Sequence, residues 1–285
     1  MIWLRVTHNR PCRICDKPDW CTYSELGSCC MRVSSDRPLR NGGFLHPLNA
    51  QPVRLARPEP PRPTIDAERL MRGWWSKTAS ALYDALAASL GVSVAALRAI
   101  RAAWSPEHRA WAFPMRNGAQ QIVGIRLRGM DGHKWSVRGG HEGVFMPRLD
   151  PEPTVWICEG PTDCAALLTL GKFAIGRPSC SGGIAHLAAA VARLRIRRAV
   201  IIADNDAAKT MPNGRCWNPG LDGAQRLAEE IGVPCCIVIL PCKDAREALH
   251  LGMTSEILDS FVSSVVWTIP KKQVDMHSGC ARIGA

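Results

Sequence analysis

The chain has 285 residues, 46% hydrophobic and 21% charged, which excludes a disulfide-stapled mini-protein, wholesale disorder and low-complexity or collagen-like classes. Lysine and arginine outnumber the acids 36 to 25, and the resulting formal charge of +11 favours a polyanionic partner, nucleic acid foremost. No uncharged apolar run reaches the roughly 18 residues of a membrane span, and Met1 to Cys12 shows no secretory pattern. The expectation is therefore a protein of a reducing, cytoplasmic compartment without a membrane partner.

Residues 1–50 are rich in Cys, Arg and Gly and show little helical periodicity. The cysteine count of 13 is odd, and Cys12, Cys15, Cys21, Cys29 and Cys30 cluster near the start, which argues for metal over disulfides. Cys12-x-x-Cys15 has zinc-knuckle spacing, and Cys21 with Cys29 or Cys30 completes a four-thiolate Zn2+ site, with His46 able to replace one sulfur. Coordination would supply folding energy that so few apolar residues cannot. Trp20, Arg13 and Arg32 are suited to stack on bases or grip phosphates, and Trp20 equally to cover a tiny core.

Residues 51–64 carry prolines without an apolar stripe and read as a stiff linker. From Asp66 to about Trp104, Leu82, Leu86, Leu90, Val94, Leu97 and Ile100 recur at helical spacing around Gly91, predicting two or three helices. Between Trp111 and Gly139 apolar and polar residues alternate around Asn117-Gly118 and Asp131-Gly132, the pattern of antiparallel strands. Residues 65–150 thus form a helical and basic β-rich α+β subdomain. Trp74, Trp75 and Trp104 are read as core residues.

From 151 to 269 the fold class is α/β. Buried strands at Val155–Cys158, Phe173–Gly176, Ala199–Ala203 and Cys236–Leu240 alternate with helices near 161–170, 183–194, 220–231 and 244–262, a mostly parallel, Rossmann-like sheet. Residues 270–285 read as a frayed tail. In such sheets ligands gather beyond the carboxyl ends of the strands. There the first strand runs into Glu159-Gly160-Pro161-Thr162-Asp163 and the third into Asp204-Asn205-Asp206. Carboxylates crowded in this way call for a cation, Mg2+ or Mn2+ by their hard oxygen chemistry.

These residues resemble the TOPRIM domain of bacterial and phage primases, topoisomerases and some nucleases, over roughly 153–252. The resemblance implies that Glu159 takes the place of the first motif's glutamate, that Asp163 accompanies it, and that Asp204 and Asp206 bind the metal. Lys243-Asp244-Ala245-Arg246-Glu247 is similar to the Lys-Asp-x-Asn-Glu segment of phage primase-helicases, with Arg246 replacing Asn. A second departure is the long loop 207–220, in which Lys209 and Arg215 are candidate substrate contacts or parts of a plain surface insertion.

Within that family, the chain has only Tyr23 and Tyr83 to offer as topoisomerase nucleophiles and lacks a phosphate-binding Gly-x-x-x-x-Gly-Lys loop, Gly171-Lys172 having neither the spacing nor the hydroxyl. Both observations turn the reading towards primase. Phe113-Pro114-Met115-Arg116 and the turn after it resemble the basic half of primase polymerase domains, which assigns Arg116, Arg126, Arg128, Lys134 and Arg138 to template or triphosphate phosphates. Cys12 to Cys21 followed by Cys30-Met31-Arg32 resembles the zinc ribbons that precede primase domains, which selects Cys30 over Cys29.

The expected function is a DNA primase-like nucleotidyltransferase making short RNA primers on single-stranded DNA from nucleoside triphosphates. Glu159, Asp204 and Asp206 would hold the catalytic ion. Lys243, Asp244 and the Ser181-Gly182-Gly183 amides would meet phosphate. The expected setting is a bacterial cell, phage or plasmid, with a separate replicative helicase as a further partner. The alternatives are a TOPRIM nuclease with water as nucleophile, or a noncatalytic zinc-dependent single-strand binder.

Overall fold

The computed structural model describes residues 2–39, 41–47, 64–210 and 216–268. The tail at 270–285, Arg215 and all of the expected linker except Thr64 lie outside the described residues. The chain forms two compact units, Met1–Arg62 with Ala207–Asn218, and Pro63–Asp206 with Pro219–Ala285.

In the first unit β1 (Leu4–Arg5), β2 (Thr22–Ser24), β3 (Gly27–Cys30) and β4 (Phe44–Pro47) form one antiparallel sheet in that order. Among the described residues its buried cluster is Val6, Cys12, Cys21 and Cys30, with Cys29 and Phe44 buried outside it. Sulfur occupies the place that aliphatic side chains fill in a larger core.

The second unit opens with α1 (Ala67–Trp75), α2 (Ser80–Leu90) and α3 (Val94–Ala99). Asp66 caps α1 by accepting the Arg69 N–H at 2.9 Å, and Ser93 caps α3 through the Ala96 N–H at 3.1 Å. Gly91, at φ 69°, ends α2 in the left-handed conformation. The helical pattern read as far as Trp104 stops earlier. Ala103–Ser105 is a strand, β5, in which Trp104 pairs across from Trp111, so cross-strand packing overrides the helical spacing. Strands β6 (Ala110–Arg116), β7 (Ile122–Gly129) and β8 (Lys134–Ser136) complete an antiparallel sheet in the order β5-β6-β7-β8.

The remainder of the unit alternates strand and helix: β9 (Thr154–Glu159), α4 (Gly160–Thr169), β10 (Ala174–Arg177), α5 (Ile184–Arg193) and β11 (Arg198–Ala203). After a hairpin of β12 (Lys209–Thr210) and β13 (Cys216–Trp217), which clusters with the first unit, come α6 (Pro219–Glu230), β14 (Cys235–Ile239), α7 (Ala245–His250) and α8 (Ser255–Ser263). The sheet is parallel, in the order β10-β9-β11-β14. Its strands bury both faces. Val155, Ile157 and Ile201 join one apolar cluster with Leu187 and Leu227, while Trp156, Cys158 and Ile202 join another with Cys164 and Leu258. This is the period of two in a doubly covered sheet. The helix expected over 244–262 is instead two helices. Gly252 turns the chain at φ 89°, and Thr254 restarts it by accepting the Ile257 N–H at 3.3 Å.

Candidate functional site

In the first unit the ligand atoms of Cys12, Cys15, Cys21 and Cys30 lie within 4.8 Å of one another. Because side chains alternate along β3, Cys29 faces the other way and receives the Asn41 amide at 3.7 Å. His46 is engaged with the Val33 carbonyl at 3.1 Å. The fourth position is therefore Cys30. Backbone N–H groups point at the sulfurs, from Met31 to Cys21 at 3.4 Å and from Val33 to Cys30 at 3.3 Å. Burial raises the Cys15 thiol, but the Lys17 N–H and the neighbouring thiols bring it down to about 7. Four thiols with converging donors are the chemistry of a structural zinc site. Trp20 is 76% exposed with the Arg32 guanidinium 5.3 Å from its ring centroid, so it is not a lid.

In the second unit the acidic residues meet because β9 lies beside β11 and β11 beside β14. A cavity of about 160 Å³ at the carboxyl ends of these strands is walled by Glu159, Asp163, Asp204 and Asp244 on the acidic side and by Arg126, Lys134 and Lys243 on the basic side. Glu159 is the N-cap residue of α4, and Gly160 makes the turn at φ 75°. Asp204 follows β11 directly. A Cβ at Gly220 would collide with the Asp204 carbonyl, so glycine lets the first turn of α6 come that close. Asp206 is near enough to raise both Glu159 and Asp204.

Asp163 is almost fully buried. Its Oδ1 accepts the Arg246 backbone N–H at 3.0 Å, and its Oδ2 accepts the Thr162 hydroxyl at 3.4 Å. Asp244 caps α7 through the Glu247 N–H at 2.7 Å, while Glu247 accepts the Lys243 N–H at 2.6 Å. The Lys243 carbonyl accepts from Asn205 at 2.8 Å, joining this segment to the Asp204 loop.

Burial and then the surrounding carboxylates push Asp204 up to about 8, and burial and then Asp244 push Asp163 up to about 7. Burial also raises Glu159, against the pull of Arg177, and its Oε1 has no hydrogen-bond partner. These are marks of a carboxylate set short of positive charge, and Glu159, Asp204 and Asp206 fit a divalent cation by their donor chemistry. Among the described residues, the thiol tetrad is the only group of three or more whose ligand atoms already lie so close, so the acids stand wider apart.

The basic residues divide. Arg126 and Lys134 line the cavity, and Arg128 pairs across strands with Lys134 and lies within reach of the Asp163 charge. Like charges placed opposite one another oppose the pairing, and the acidic wall offsets this. Arg116 is elsewhere. It is 3% exposed, donates to the Gln120 carbonyl at 2.7 Å, and is lowered to about 10 by burial and by Arg148 and Arg101. Arg138 is exposed beyond β8 and does not line the cavity. The Gly183 N–H is already taken by the Glu142 carboxylate at 2.8 Å.

Sequence reasoning missed Arg177. Fully buried at the end of β10, its guanidinium donates to the Cys180 carbonyl at 2.9 Å and the Gly223 carbonyl at 3.1 Å and lies 3.6 Å from Glu159. The available signal was a charge closing an apolar strand, the same position that singles out Glu159 and Asp204.

No protein-family model matches the chain, and no curated protein matches it in sequence. Solved primase structures share its fold. The zinc-binding and RNA polymerase domains of Aquifex aeolicus primase align with TM-score 0.54 and 13% identity over 71% of this chain and 60% of that one. A DnaG primase catalytic domain bound to single-stranded DNA aligns with TM-score 0.52 and 13% identity over 70% and 78%. The E. coli primase catalytic core aligns with TM-score 0.51 and 13% identity over 74% and 82%. The mixed α/β architecture with its thiol tetrad is thus a primase-like fold.

Proposed function

We propose that the chain is a primase-type nucleotidyltransferase that joins ribonucleoside triphosphates on a single-stranded DNA template. The observation that carries this reading is the cavity in which acids from three strand ends face Arg126, Lys134 and Lys243. A triphosphate with its cation needs both signs of charge in one place, and a site for a neutral substrate would need neither. Glu159, Asp204 and Asp206 are the residues that would hold a divalent ion. When bound, that ion would neutralise charge developing on the phosphoryl oxygens.

The chain's own groups have separable tasks. Arg177 sets a fixed positive charge 3.6 Å from Glu159. Asp163, spent on the Arg246 amide, fixes the start of α7 and so holds Lys243 beside the acids. Lys243, Lys134 and Arg126 bind phosphate oxygens and set the reacting groups in line, which is where phosphoryl transfer gains most from a protein. The thiol tetrad would carry structural zinc, and the exposed Trp20 beside it, with the half-buried Arg32, would contact template.

The test is incorporation of labelled ribonucleotides on single-stranded DNA with Mg2+ or Mn2+. Template-dependent oligonucleotides support the reading. Degradation of the DNA without synthesis replaces it with a nuclease, and binding without either reaction replaces it with a noncatalytic replication protein.

A further inference from the structure

At one end of the antiparallel sheet, two turns enclose a groove of about 550 Å³ that the acidic cavity does not share. Arg109 enters it from the β5–β6 turn, Met130 and His133 from the β7–β8 turn, and Trp104 and Trp135 form its walls. The His133 and Trp135 rings are stacked, 5.4 Å between centroids and 22° from parallel. Met130 is 74% exposed, and Arg109 and His133 are also exposed. A Cβ at Gly129 would press on the Asp131 carboxylate, 2.5 Å away, so glycine lets that turn fold back on itself.

Met130 stands in water while Trp104 and Trp135 are half-buried, so ring edges and faces remain open at the groove. The charges around them select the partner. Among the described residues Arg109 forms no ion pair, while the one acid in the wall, Asp131, accepts the His133 N–H at 2.9 Å and lies near the Arg128 charge. Aromatic faces bordered by an exposed guanidinium suit an unpaired base with its phosphate. Position in the chain links the groove to the proposed site. Lys134, between His133 and Trp135, lines the acidic cavity. Side chains alternate along β8, so Lys134 borders the cavity while Trp135 borders the groove.

We infer that this groove is a nucleobase-stacking subsite for single-stranded DNA, in which His133 and Trp135 take a base and Arg109 its phosphate. The choice of DNA rests on the primase reading above.

The test measures binding of a labelled oligothymidine, and of an equally long strand lacking its central bases, without divalent cation or triphosphate. His133→Ala and Trp135→Ala each weaken oligothymidine binding about tenfold and leave the abasic strand unaffected, while Trp135→Phe retains most of the affinity. Arg109→Glu weakens both strands. His133 is exposed, so its variant decides the matter if Trp135→Ala disturbs the sheet. Equal wild-type affinity for the two strands, or oligothymidine binding untouched by His133→Ala and Trp135→Ala, overturns the subsite. Primer synthesis with base-insensitive binding removes the groove alone, and base-sensitive binding without synthesis removes the enzyme reading alone.

Discussion

The two clusters of candidate metal ligands are built by opposite means. The thiol tetrad is local: Cys12, Cys15, Cys21 and Cys30 fall within 19 consecutive residues and already lie within 4.8 Å. The acidic centre is long-range, drawing Glu159, Asp204 and Asp244 from the ends of β9, β11 and the segment after β14, and its groups stand wider apart. In the first, a bound metal would substitute for a core. In the second, a core of more than forty buried apolar groups along the unit holds acids together that would otherwise separate, at the cost of raised carboxyl groups.

This contrast predicts unequal responses. Chelation, or Cys12→Ser with Cys15→Ser, removes about 10 kcal/mol or more of coupled binding and folding energy from the ribbon. Metal analysis shows loss of zinc, and NMR shows collapse of the signals of residues 2–47 with those of the α/β sheet unchanged. Simultaneous melting of both units breaks the comparison. Glu159→Gln, by contrast, leaves the fold intact and lowers ribonucleotide incorporation about 100-fold or more, as for loss of one electrostatic contact in a reaction centre.

A smaller effect concerns pH. Asp204 and Asp163 sit at about 8 and about 7 when folded, above the ordinary 3.8 of an unfolded aspartate. Their folded forms favour the proton, so the stability linked to them is complete below pH 3.8 and is lost as pH rises through 7 and 8. The metal-free protein should melt a few degrees lower at pH 9 than at pH 6. Mg2+ restores the loss, and Asp204→Asn flattens the dependence, both read by thermal denaturation. Finest is the response of Arg177, a fixed positive charge beside a proposed metal ligand. Arg177→Gln should tighten Mn2+ binding about tenfold, read from the Mn2+ paramagnetic signal. Weaker binding would assign the arginine to orienting Glu159 alone.

How far these features can be read from the letters follows from the same distinction. Local spacing marked Cys12 to Cys30, and apolar runs located all four strands of the parallel sheet within a few residues. The acids stood out because strand ends are where such sheets collect ligands. What escaped depended on which face of an element another element covers. Arg116 and Arg126 sit in one alternating pattern, yet the first is buried beside Arg101 and Arg148 and the second lines the cavity. Arg177 was hidden because its partners, the Cys180 and Gly223 carbonyls, are main-chain groups without a residue signature. The single helix expected over 244–262 failed at Gly252, whose left-handed turn is a backbone choice rather than a periodic one.

The hydrogen bond that ties α7 to Asp163 comes from the main chain of Arg246. Any amino acid except proline supplies that donor, so the joint survives a change of side chain even though the Arg246 charge, which also favours the ionised Asp163, would be lost with it. Where such joints are made by peptide groups, one three-dimensional frame tolerates very different spellings.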